Sequence, residues 1–166
     1  MKTLFTLIRK ELRSYLNHPM GYLFIVVFLA VNNFFFFRTL LVNNIASLRP
    51  LFDFLPWLLL FLVPAVTMRL AAEERKEGTW EIILTQPLSD FSYVLGKWLA
   101  ASAFVFIGIL LTLAAPLMLA IAGDFDWGVV AGQYLGATFL TMALCSAGYF
   151  ASQMTKNQII AFLLGI

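Results

Sequence analysis

The strongest constraint on this chain is four runs of apolar residues, at about 20–37, 51–68, 98–122 and 127–152, each long enough to cross a bilayer. A helix rises 1.5 Å per residue, so about 20 apolar residues span the ~30 Å of hydrocarbon. Of 166 residues, 61% are hydrophobic and 12% are charged. Soluble domains are about a quarter charged and about half apolar. One soluble core could not bury this much apolar surface in so short a chain. The expected fold is an all-α integral membrane protein, one transmembrane domain over residues 1–166.

Residues 3–17 are amphipathic: Leu4, Leu7, Ile8, Leu12, Tyr15 and Leu16 share one side of a helical wheel, and Arg9, Lys10 and Arg13 the other. Glu11 falls on the apolar arc. A basic amphipathic helix before a span is expected to lie in the membrane interface. His18-Pro19 then precedes the first run, which is too long for a signal peptide and has no Ala-x-Ala site behind it. The polar amides Asn32 and Asn33 fall inside it, and 38–50 reads as a loop. Asp53, Pro56 and Pro64 fall in the second run. Prolines are tolerated in spans because neighbouring groups satisfy the freed carbonyls.

Residues 69–97 form the one long polar stretch, read as a cytoplasmic loop, and Gly123-Asp124-Phe125-Asp126 reads as a tight turn. After a polar link at 153–158, the run 159–166 reads as the start of a fifth span. Eight helical residues reach only ~12 Å, so the sequence reads as C-terminally truncated.

Basic residues set the orientation, because short loops rich in Lys and Arg stay in the cytoplasm. One side holds Lys2, Arg9, Lys10, Arg13, Arg69, Arg75, Lys76, Lys97 and Lys156; the other holds only Arg38 and Arg49. The N-terminus and the 69–97 loop are therefore expected in the cytoplasm.

The sequence carries no catalytic motif. Gly96-Lys97 lacks the upstream glycine and the following Ser or Thr of a phosphate loop. His18 is the one histidine and Cys145 the one cysteine. No nucleophile motif or paired intramembrane carboxylates stand out. The expectation is no metal, no cofactor bound by this chain, and the lipid bilayer rather than nucleic acid as its surroundings.

In the fourth run, Gly128, Gly132 and Gly136 recur every four residues, and Ala143, Ala147 and Ala151 continue the stripe. Small residues let helix backbones approach closely in lipid. Packing against another span of the same chain and packing in a dimer both fit, with the internal arrangement favoured.

The 69–97 stretch also has an internal plan. Ala71 to Glu77 are good helix formers, so the second helix is expected to continue past the membrane. Gly78 suits a helix stop, and Thr79 can cap a short helix from Trp80 to Leu84. Pro87 ends it, and Ser89-Asp90 opens the helix of the third span. The short helix shows Trp80, Ile82, Ile83 and Leu84 with Glu81 among them. Such a helix suits a partner's groove, or the lipid surface.

The run Glu73-Glu74-Arg75, followed by Gly78-Thr79-Trp80-Glu81-Ile82-Ile83-Leu84-Thr85-Gln86-Pro87, resembles the signature of type-2 ABC transporter permeases. Ile83 stands where the family has the first of two leucines. Asn43 to Pro50 and Phe54 to Leu58 resemble the subgroup associated with gliding motility. The resemblance implies a permease subunit of an ABC transporter, an exporter of the inner membrane. It would pair with a second permease subunit, as a homo- or heterodimer, and with a cytoplasmic ATPase subunit that carries ATP and Mg. Gly78, Thr79, Trp80, Glu81, Ile82, Ile83, Leu84, Thr85 and Pro87 would couple to the ATPase, and Glu73, Glu74 and Arg75 would form a polar belt near the cytoplasmic gate. The competing expectation is a membrane anchor or scaffold that moves no substrate.

Overall fold

A computed structural model describes residues 2–43, 49–77, 90–120 and 127–166. Among these residues the chain is helical, in the order α1 (Lys2–Asn17), α2 (Pro19–Asn43), α3 (Arg49–Glu77), α4 (Asp90–Leu111), α5 (Ala114–Ala120), α6 (Trp127–Gln153) and α7 (Gln158–Gly165). Four candidate spans emerge: Pro19–Val42, Leu51–Leu70, Asp90–Met118 and Trp127–Gln153. The chain is an all-α membrane protein.

Helix α3 is the hub. It packs most extensively against α6, and also against α7, α2 and α4. Leu55, Leu59, Val63, Val66 and Leu70 repeat at helical spacing along its buried face. They meet Phe28 of α2, Phe104 and Ile109 of α4, and Ala137, Cys145 and Tyr149 of α6 in one core. Pro56 and Pro64 sit inside α3 without ending it. The outward surface stays apolar, with Trp57 66% and Phe139 69% exposed, as suits a bundle whose solvent is lipid.

The α1–α2 elbow follows from its residues. Pro19 occupies the first position of α2, where a missing N–H costs no helical bond. Gly21 donates to the His18 carbonyl at 2.9 Å. A Cβ on Gly21 would collide with the Tyr15 carbonyl oxygen, so only glycine lets the two helices meet so closely. The apolar arc of α1 then turns toward protein. Leu4 and Leu7 lie over Gly96 of α4, and Leu12, Tyr15 and Leu16 pack on the core.

Three features differ from the sequence reading. Residues 38–43, read as loop, continue α2, because Leu40, Leu41 and Val42 extend its apolar run. Lys97, counted among the cations of the 69–97 loop, lies in the helix that opens at Asp90 and is buried, 2% exposed. This third span also breaks near its far end. Pro116 has no N–H to give and crowds the carbonyl four residues back. The chain tightens there, with Thr112 and Leu113 donating to Ile109 and Leu110, before α5 resumes. Helix α7 is capped by Asn157, whose Oδ1 accepts from the N–H of Ile159 at 2.9 Å. It lies against α3 and α6.

Candidate functional site

Helix α3 has 29 residues, so at 1.5 Å each it is about 43 Å long, more than the ~30 Å of hydrocarbon. Its last two turns carry Glu73, Glu74 and Arg75 beyond the apolar span Leu51–Leu70. Only the backbone is described there.

Just before that extension, three helices grip α3 by its backbone. Tyr15 of α1 donates from its hydroxyl to the Val66 carbonyl at 3.3 Å. Ser152 of α6 donates to the Met68 carbonyl at 3.1 Å. The Lys97 ammonium of α4 donates to the Leu70 carbonyl at 2.5 Å. A helical carbonyl keeps a second lone pair after its own ladder bond, and these three side chains use it. Lys97 also lies over the Tyr93 ring, 4.9 Å from its centroid, which offers a π face to the charge. An ammonium taken from water is costly unless hydrogen-bonded, and this pairing explains how the cation is tolerated there.

Two contacts tighten the same region. Arg69 approaches His18 Nδ1 at 3.4 Å, tying α3 to the elbow. Gly148 of α6 lies against Thr67, where a Cβ would collide with the threonine hydroxyl. Small size at Gly148 therefore sets how closely α6 approaches α3. Thr67 itself donates back to the Val63 carbonyl at 3.0 Å.

Of the residues singled out from sequence, Glu73, Glu74 and Arg75 fall on α3 past this collar. Gly78, Thr79, Trp80, Glu81, Ile82, Ile83, Leu84, Thr85 and Pro87 lie outside the described residues, as does the turn at 123–126. The stripe on α6 corrects the expectation of internal packing. Gly128, Gly132, Gly136, Ala143 and Ala147 are exposed, and only Ala151 is buried. Among the described residues, a Cβ on Gly132 or Gly136 would meet nothing within 4 Å. The buried face is instead Val130, Ala137, Thr141, Cys145, Gly148 and Ser152. Val130 and Gly132 differ by two residues, about 200° on a 3.6-residue helix, so the two stripes point nearly opposite ways.

Sequence reasoning passed over Tyr15 and Ser152 and misplaced Lys97. A cation at the border of an apolar run was the available signal for Lys97. The other two donate to backbone carbonyls, which leave no mark in a sequence.

These features define a multi-pass membrane protein in which one span is prolonged beyond the bundle and held by its neighbours at that point. Residues 16–166 match the family model described as ABC-2 family transporter protein, and the chain belongs to that family. The match takes in all four spans and α7, and leaves most of α1 outside it. No match was found among curated proteins or among solved structures.

Proposed function

We propose that the chain is the membrane-spanning permease subunit of an ABC exporter of the inner membrane, moving its substrate by alternating access. The family match over residues 16–166 carries this reading. ATP and Mg would be bound and used by a separate cytoplasmic subunit. In the resemblance, the segment from Gly78 to Pro87 docks that ATPase, with Thr79 to Leu84 as the coupling helix.

The collar supports a route for the motion. A push on the segment after Glu77 would reach α3 first. Tyr15, Lys97 and Ser152 tie α3 to α1, α4 and α6 within little more than one turn, so a displacement there would move four helices together. Glu73, Glu74 and Arg75, between the collar and the docking segment, would line the cytoplasmic gate.

The exposed stripe of Gly128, Gly132, Gly136, Ala143 and Ala147 is the surface on which a second permease subunit would pack, because small residues permit close approach in lipid. Orientation follows the basic residues. Lys10, Arg69 and Lys97 gather at one end of the bundle, opposite Arg38 and Arg49. That end is assigned to the cytoplasm. The similarity of residues 43–50 and 54–58 to the gliding-motility subgroup supports placing the protein in that subgroup.

The test is copurification of the ATPase coexpressed with wild type or with Glu81→Arg. Loss of the ATPase in the variant alone, with membrane insertion unchanged, is the expected result. An ATPase that binds both equally would remove the coupling role from this segment.

A further inference from the structure

Helices α1, α2, α3 and α4 enclose a cavity of about 250 Å³ at the collar end of the bundle. Among the described residues its walls carry three cations, Lys10, Arg69 and Lys97, and one carboxylate, Glu11. The first turn of α2 opens into it at Met20 and Gly21, adding the partial positive charge of a helix N-terminus. His18 stands at that rim with its Nδ1 accepting from the Met20 N–H at 3.3 Å. Phe24, Ala65 and Val66 add apolar lining from two spans.

Positive charge beside an apolar wall, at the level where two spans leave the hydrocarbon, matches an amphiphile with an anionic head. Basic pockets between spans take the headgroups of anionic lipids. The volume lies below the roughly 300–1,000 Å³ of pockets that enclose a whole drug-sized ligand. A space of this size suits a headgroup, with acyl chains outside it.

We propose that this cavity seats the phosphate headgroup of an anionic phospholipid, whose acyl chains run along Phe24 and Ala65. The site needs no ATPase, so it stands or falls apart from the transport reading. Lys10 belongs to α1 and Arg69 to α3. One phosphate between them would pin the amphipathic helix to the hub.

The test places the full chain in nanodiscs of phosphatidylcholine alone or mixed with phosphatidylglycerol. Melting temperature and, by native mass spectrometry, retained lipid are measured. Phosphatidylglycerol should be retained on the released protein and raise the melting temperature. Lys10→Gln and Arg69→Gln should each weaken retention about fivefold, the usual worth of one basic residue at an anionic surface. Lys10 is exposed, so its variant reports even if Arg69→Gln melts early. Lys156→Gln, an exposed cation outside the cavity, should leave retention unchanged. Three results would overturn the proposal: no preference over phosphatidylcholine, an equal loss in Lys156→Gln, or the same stabilisation by inorganic phosphate in phosphatidylcholine discs.

Discussion

Helix α6 has two faces built from small residues, and among the described residues one of them is buried in the bundle while the other is exposed. Inward, Ala137, Thr141, Gly148 and Ser152 press on the bundle, and Gly148 brings the backbone against Thr67. Outward, Gly132 and Gly136 meet open space. The outward stripe is the more regular of the two. Small residues state that a face can be approached closely; they do not state by what. The inward face holds its place through larger neighbours, because Cys145 and Tyr149 bring it into the main core.

The comparison breaks most readily at Gly148. Gly148→Leu forces a side chain into Thr67, and overpacking of this kind costs about 1–3 kcal/mol or more. A marked drop in melting temperature in detergent is expected, and an unchanged melt would show that α6 does not approach α3 so closely. Next comes the collar. Lys97→Ala empties a buried site and removes the donor to Leu70, at a cost of about 1–3 kcal/mol. The same melt reads it. Ser152→Ala removes one neutral hydrogen bond between helices, worth about 0.6 kcal/mol in a membrane protein. Its effect should be the smallest measurable one, and additive with that of Tyr15→Phe. Gly132→Leu should leave the melt of the single chain unchanged. It should reduce self-association in lipid, measured by energy transfer between labelled copies. A large melting shift would mean that the outward stripe has a partner inside the chain.

Much of the architecture was legible because lipid imposes a simple rule. A backbone in hydrocarbon must be helical, and a helix must be long and apolar to cross. Residues 51–68 and 127–152 announce themselves in this way. The elbow was legible too, in His18-Pro19. What escaped were interactions that depend on where helices lie beside each other. Lys97 reads as a flanking cation until α3 supplies the Leu70 carbonyl. The amphipathic pattern of α1 is the same whether its apolar side meets lipid or, as here, Gly96 and the core. Leu40, Leu41 and Val42 read as a loop because Arg38 precedes them, yet they simply prolong α2. The stripe of α6 misled for a related reason: periodicity fixes a face and not its direction.

The account assigns the segment after α3 to an ATPase and the outward face of α6 to a second permease. Both assignments are tested together by photocrosslinking in native membranes, with Cys145→Ala as background. A benzophenone is attached at Trp80→Cys or at Gly132→Cys. Trp80→Cys is expected to capture the coexpressed ATPase, whereas Gly132→Cys is expected to capture another permease chain. An ATPase adduct at Gly132→Cys, or none at Trp80→Cys in a complex that still hydrolyses ATP, would contradict it.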